Sequence, residues 1–97
     1  MKQSEIRNEA KKIVEDIFRA AINSKDRSQW RKAVEFCAEM LKTQGLKMQE
    51  AIRGGDDETA TKAIRRMNIW REVRNQIVNE IKMKLKSKPN QNEIEIK

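Results

Sequence analysis

The sequence lacks most of the residues on which metal and disulfide sites depend. Among its 97 residues there is no histidine, no tyrosine and a single cysteine, Cys37. One cysteine cannot close an intrachain disulfide, and without histidine an ordinary zinc site cannot be assembled. We therefore expect neither a metal ion nor a cofactor, and we expect a reducing, cytoplasmic setting for the chain.

The polar residues that are present do not form a recognisable catalytic pattern. Acid-base chemistry would have to rest on carboxylates, lysines or Cys37, and no pair of these has a diagnostic spacing. The dipeptide Gly54-Gly55 follows a predicted helix rather than a strand and lacks the Lys-Ser/Thr ending of a phosphate-binding loop. We predict that the chain is not an enzyme and that Cys37 is a small buried hydrophobe.

Residues that break helices or favour sheets are also rare. Three glycines, one proline and an aromatic content of 4% are typical of a protein of long helices. No apolar run approaches the roughly 18 to 20 residues that a membrane span needs, and the first ten residues lack the apolar core of a signal peptide. We expect an all-α, soluble, unexported protein with no membrane contact.

Apolar residues recur at steps of three and four in three segments, which predicts three helices. The first covers about residues 4–22, the second about 26–53, and the third follows the Gly54-Gly55 turn and fades near Ser87, because Pro89 disfavours helix before it. The predicted buried stripe of the first helix is Ile6, Ala10, Ile13, Val14, Ile17 and Ala21. That of the second is Trp30, Ala33, Val34, Cys37, Met40, Leu41, Met48, Ala51 and Ile52, and that of the third is Ala60, Ala63, Ile64, Met67, Trp70, Ile77, Val78, Ile81 and Leu85.

Polar residues mark the helix ends. Asp26 and Gln29 have the spacing of a capping box, and Asp56 precedes the third helix with two further carboxylates. Gly45 lies inside the second helix, where it costs about 1 kcal/mol relative to alanine, so it indicates a kink or a close helix crossing.

Short turns between the helices predict a three-helix antiparallel bundle with a long C-terminal helix. We assign residues 1–88 to this single domain and residues 89–97 to a flexible tail. The first helix is about ten residues shorter than the third, which leaves apolar surface for a homodimer to cover. Ile69, Val73 and Met83 fall outside the main stripe of the third helix and are the predicted protein interface. Scattered exposed apolar residues are an equally good explanation.

Two polar side chains fall on apolar faces. Arg74 lies within the stripe of the third helix, where it either reaches the rim, pairs with a carboxylate or carbonyl of another helix or subunit, or lines a pocket. We include it in the predicted protein interface. Gln44 takes a comparable inward position on the second helix, while Trp30 and Trp70 are predicted to anchor the core.

Charge is the most informative feature, since the chain carries a net charge of +7. Antiparallel packing brings the end of the first helix, the start of the second and the end of the third together. The nine cations of this basic end are Arg19, Lys25, Arg27, Arg31, Lys32, Lys82, Lys84, Lys86 and Lys88. They are opposed by four carboxylates, Asp16, Asp26, Glu35 and Glu80, so this end carries +5.

This cationic end predicts contact with the backbone of a nucleic acid, without base specificity, since phosphates bind such a surface by counterion release. The predicted function is that of a small non-catalytic accessory protein within a larger complex. Two alternatives stay open. The lysines near the helix C-terminus could simply complement its dipole, or the chain could be an interaction module or inhibitor that docks on a protein with no nucleic acid.

Overall fold

The computed structural model describes residues 2–86, and within that range the chain is helical with no strand. Helix α1 spans Gln3–Ile13, a π-helical turn spans Val14–Phe18, and helix α2 spans Arg19–Asn23. Helix α3 spans Arg27–Arg53 and helix α4 spans Asp57–Lys86. The all-α prediction is confirmed. Lys88 and the predicted tail, residues 89–97, lie outside the described residues.

Helix α1, the π turn and α2 form one continuous rod, here called the first segment. Its apolar residues recur every four positions, at Ile6, Ala10, Val14, Phe18 and Ile22. Four residues of an α-helix turn about 400°, so such a repeat drifts by about 40° at each step. The π turn holds more residues per turn and removes this drift. As a result Phe18 and Ile22 are buried, whereas Ile17, predicted to be in the stripe, is 57% exposed.

Helix α3 begins at an Asp26 cap that differs from the predicted one. The Asp26 carboxylate accepts hydrogen bonds from the backbone N–H of Ser28 at 2.9 Å and from its hydroxyl at 2.7 Å. The Asp26 N–H, which Gln29 would have satisfied in a capping box, donates instead to Ser24 Oγ at 3.0 Å. Ser24 therefore replaces Gln29 as the partner of this backbone group.

The turn between α3 and α4 is formed at Gly54-Gly55, the dipeptide predicted to separate these helices. Gly55 has a φ of 77°, the left-handed conformation that glycine adopts at low cost. The next N–H, of Asp56, donates to the Ala51 carbonyl at 2.8 Å. Asp56 then caps α4 by accepting from the N–H of Thr59 at 3.1 Å and from its hydroxyl at 2.6 Å. These contacts reverse the chain sharply and make α3 and α4 a hairpin.

The first segment packs on this hairpin, chiefly against α4. The molecule is elongated, with extents of 62 × 23 × 20 Å. The main core lies where all three rods meet, and its members are Ala10, Val14, Phe18, Ile22, Ala33, Cys37, Val73 and Ile77. Nearer the turn, buried alanines bring α3 and α4 together, namely Ala51, Ala60 and Ala63. These contacts agree with the predicted antiparallel bundle.

Helix α4 buries a wider arc than its sequence predicts. Val73 is 0% exposed and Ile69 packs against the core, so the expectation that they face outward was wrong. Conversely, Ile64 and Leu85 were assigned to the stripe but are 42% and 40% exposed. The prediction assumed one seam along the helix, whereas α4 contacts two neighbours on different sides. Met83 is exposed, as expected.

Aromatic rings tie the three rods together. Phe18, Phe36 and Trp70 form a triangle with ring centroids 5.8 to 6.3 Å apart. Trp30 is buried and its indole N–H donates to the Ser24 carbonyl at 3.0 Å, which confirms it as an anchor. Cys37 is also buried, as predicted, and burial raises the pKa of its thiol to about 11.

Candidate basic surface and uncovered hairpin face

The structure brings the three predicted cationic segments to one end of the molecule. The bond from Trp30 to Ser24 joins the start of α3 to the end of the first segment. The Arg19 guanidinium reaches across to α4, where Nη1 and Nη2 donate to the two carboxylate oxygens of Glu80 at 2.8 and 2.9 Å. Of the nine predicted cations, all but Lys88 lie within the described residues. Together with the four carboxylates of the basic end, these eight cations give it a net charge of +4.

Arg19 is occupied by packing rather than free for a ligand. Besides its paired bonds to Glu80, it forms an ion pair with Glu15, one helical turn before it. The hydrogen bond to Glu80, and after it the one to Glu15, raises the pKa of the Arg19 guanidinium above its ordinary value. The hydrogen bond from Arg19 in turn lowers the pKa of Glu15. Arg19 therefore fastens the first segment to α4.

The other predicted cations are mostly open to solvent. Lys84 is half-buried, and the exposed ones are Lys25, Arg27, Arg31, Lys32, Lys82 and Lys86. Arg27 and Arg31 are four residues apart on α3, and Lys82 and Lys86 have the same spacing on α4. Each pair shares one helix face. Lys32 lies about 100° around α3 from Arg31, so the cations surround the end of the bundle rather than form one flat patch.

Helix packing separates the charges of α4 in a way that composition did not reveal. Glu72 and Glu80 are half-buried, and Glu80 binds Arg19 of the first segment. Gln76 bonds to Glu72 at 3.4 Å and to the Arg7 carbonyl at 3.3 Å. By contrast, Arg71, Arg74, Lys82 and Lys86 are exposed. The repeat of Glu72, Gln76 and Glu80 every four residues is the signal that could have predicted this polar seam.

A second surface runs along the α3–α4 hairpin, where Val34 and Ile81 also pack against the core and Met67 lies beside Gly45. Its α3 members are Val34, Leu41, Gly45, Met48 and Ile52, and its α4 members are Met67, Arg74, Val78, Ile81 and Leu85. Both sets have successive spacings of seven, four, three and four residues, which place each set on one helix face. Most of these residues are half-buried, while Ile52 and Leu85 are 58% and 40% exposed. We call this surface the uncovered face.

Arg74 lies on the uncovered face with its side chain exposed. Within residues 2–86 it forms no ion pair, and its charge acts on Cys37, where it partly offsets the rise in the thiol pKa caused by burial. Among the three interpretations of Arg74, its exposure favours a guanidinium that reaches solvent, and pairing with a carboxylate of another chain stays a prediction. Gln44 does point inward, at 4% exposed, and its Oε1 has no hydrogen-bond partner among the described residues.

Gly45 is not required by a close helix crossing. A Cβ at this position would lie 3.9 Å from Met67 Cε, an ordinary van der Waals distance. The described part of α3 is also a continuous α-helix through this residue. The expected kink or tight crossing at Gly45 is therefore wrong.

The remaining surface offers open grooves rather than an enclosed site. One depression of about 420 Å³ follows the seam between the first segment and α4, and another of about 410 Å³ is lined by Glu5 and the start of α4. In residues 2–86, no three Cys, Asp or Glu side chains come close enough together to hold a metal ion. None of the described helices combines the length and apolar content required to cross a bilayer. Comparison with known proteins gives no match, whether to a protein-family model, a curated protein or a solved structure.

Proposed function

We propose that this chain is a non-catalytic accessory protein whose basic end contacts the phosphate backbone of a nucleic acid. One observation carries the proposal. In the C-terminal half of α4, Glu80 is bound to Arg19 of the first segment, whereas Lys82, Lys86 and the cations at the start of α3 are exposed. The six exposed cations of this end, Lys25, Arg27, Arg31, Lys32, Lys82 and Lys86, outnumber its exposed carboxylates, Asp16, Asp26 and Glu35, by three, so the end presents a positive field to a ligand.

The chemistry of this end suits backbone contact rather than base recognition. Lysine and arginine on exposed helix faces release counterions when they meet phosphates, and this contribution does not depend on sequence. The exposed ring of Phe36 is a poor platform for stacking bases, because the depression that it lines holds two carboxylates, Glu35 and Glu39, against one cation, Lys32. The net negative charge of this depression repels the phosphates that flank a stacked base.

Charge reversal at the two ends of the bundle tests this proposal with matched variants. Arg27→Glu, Arg31→Glu and Lys82→Glu change the basic end, whereas Lys62→Glu, Arg65→Glu and Arg66→Glu change exposed residues near the start of α4. Both triple variants alter the net charge by the same amount. Binding to a generic duplex of about 20 base pairs, DNA or RNA, is measured by fluorescence anisotropy across a salt series.

We expect the parent chain to bind at low salt with an affinity that falls steeply as salt rises. The basic-end variant should lose at least about tenfold in affinity and lower the salt slope by about 0.9 per phosphate contact removed. The variant near the start of α4 should lose much less. Equal losses in the two variants, or no binding by the folded parent chain even at low salt, would overturn the proposal.

The four residues predicted to form the homodimer interface do not share one exposed surface, so a homodimer would have to form through other residues. Of its four predicted interface residues, Ile69 and Val73 belong to the core, while Met83 and Arg74 are exposed. The alternative function, docking on a protein without nucleic acid, is favoured by the uncovered face.

A further inference from the structure

The uncovered face is large enough to hold a partner. Helix α3 has 27 residues, so it is about 40 Å long at 1.5 Å per residue. Two helices side by side are roughly 20 Å wide, in keeping with the molecular extents of 23 and 20 Å. One side of the hairpin therefore measures about 800 Å² in projection, the area that each partner buries in a standard protein interface. The residues of the face, Val34 to Ile52 on α3 and Met67 to Leu85 on α4, span about 27 Å of each helix.

The centre of this face is positively charged. Arg74 and Arg71 lie near the midpoint of α4, with the half-buried Val78 one turn beyond Arg74. In the described range neither arginine has a carboxylate partner, and Arg71 donates to the Asn68 side-chain oxygen at 3.2 Å. A purely apolar partner would remove water from the Arg74 guanidinium and leave its charge unpaired. A stable partner therefore has to bring a carboxylate to Arg74.

A second copy of the chain does not meet this need. In a symmetric dimer the same surface contributes from both subunits. With the twofold axis across the middle of the hairpin, Arg74 comes to lie near Arg74 of the other copy, and like charges placed together in an interface oppose association. With the axis along the hairpin, α4 lies over α3 of the other copy, and the α3 residues of the face include no carboxylate.

We propose that the uncovered face binds an amphipathic helix of another protein, with apolar side chains surrounding an Asp or Glu that pairs with Arg74. Two antiparallel helices with apolar residues at steps of three, four and seven form the groove into which such a helix fits. Its binding would complete a four-helix arrangement over the half-buried valine, leucine and methionine side chains. The site does not use the basic end, so this proposal can be tested independently of nucleic-acid binding.

A displayed helix library tests the proposal with the full chain as the ligand. The library consists of amphipathic helices of about 20 residues, with leucine or isoleucine on one face and all amino acids allowed at two central positions of that face. We expect the enriched sequences to carry Asp or Glu at one of these positions. Selection against Arg74→Glu should instead enrich Lys or Arg there.

The matched control is Arg65→Glu, the same charge change at an exposed position of α4 beside Glu5. Arg74→Glu should lower the affinity for the acidic helices by at least about tenfold. Arg65→Glu should change this affinity by no more than about twofold. The basic-end triple variant should also retain them, which separates this site from the nucleic-acid surface.

Several results would overturn the proposal. These are the absence of any enriched helix, enrichment without an acidic preference, or equal effects of Arg74→Glu and Arg65→Glu. A dimer in sedimentation that Leu85→Glu breaks would make a second copy the occupant. A loss of nucleic-acid binding in Arg74→Glu as large as that in the basic-end variant would assign the face to nucleic acid.

Discussion

At the scale of single residues, Gly45 and Gly55 have opposite roles. Gly45 lies in a helix interior with room for a methyl group, and Gly55 has a φ of 77° in the turn. We predict that Gly45→Ala raises the free energy of unfolding by about 1 kcal/mol, because alanine loses less backbone entropy in a helix. Gly55→Ala should lower it by about 1 kcal/mol or more, because alanine is strained at positive φ. Urea unfolding of the two variants measures both, and destabilisation by Gly45→Ala would show that the glycine is needed for packing.

The two inward polar positions show what residue patterns can predict. Both Gln44 and Arg74 fall on apolar stripes, yet only Gln44 is buried. The long arginine side chain carries its charge to the rim, whereas the shorter glutamine side chain leaves Oε1 buried without a partner in the described structure. Helical spacing gives the direction of the Cβ, but the position of the polar atom depends on side-chain length and on the neighbouring helices.

At the scale of helices, the two aspartate caps predict how stability depends on pH. Hydrogen bonds from Ser28 and Thr59 lower the pKa of Asp26 and Asp56 from the ordinary value of 3.8. A carboxyl with a depressed folded-state pKa stabilises the fold above its unfolded pKa, and this stabilisation is lost as the pH falls through the folded pKa. We therefore expect the caps to contribute fully at pH 5 and their contribution to decrease progressively as the pH falls below about 4.

The double variant Asp26→Asn, Asp56→Asn tests this expectation. Asparagine also caps helices but does not titrate, so the free energy of unfolding should depend less on pH between about 5 and 2. Asp16→Asn with Glu39→Gln removes two exposed carboxylates that cap neither α3 nor α4, and serves as the control. An unchanged pH profile in the cap variant would show that other carboxylates govern acid unfolding.

Helix ends were easier to predict than helix faces. The signals at Asp26, Gly54-Gly55 and Asp56 are local, and α3 and α4 begin and end within a residue or so of the predicted positions over the described range. The π turn in the first segment was not predicted, because its effect depends on tertiary packing. It keeps Phe18 and Ile22 on the side of the segment that faces the core. The wide buried arc of α4 was missed for the same reason, since it depends on a second neighbour.

At the scale of the whole molecule, packing decides which charges a ligand meets. The sequence correctly predicted that distant cationic segments share one end, because this follows from helix number and direction. It did not predict that Arg19 is held by Glu80 and Glu15, since that pairing depends on how the first segment sits on α4. The structure thus separates the cations that hold the bundle together from those that face solvent.

This separation predicts that Glu80→Gln changes folding and binding in opposite directions. Loss of the paired bonds to Arg19 should lower the free energy of unfolding by about 1 kcal/mol, the size expected for a partly exposed ion pair. The same change removes a negative charge from the basic end and leaves Glu15 as the carboxylate partner of Arg19. Nucleic-acid affinity at low salt should therefore rise, and the salt slope should steepen by up to about 0.9 if Arg19 gains a phosphate.

The control for this prediction is Glu50→Gln, an exposed carboxylate near the other end of α3. It makes the same change in net charge and should alter neither stability nor affinity to the same extent. Urea unfolding and the anisotropy series measure the two quantities on the same preparations. If Glu80→Gln weakened both folding and binding, the basic end would depend on the Arg19 to Glu80 pair for its shape, and the cations could not be treated as a surface independent of the core.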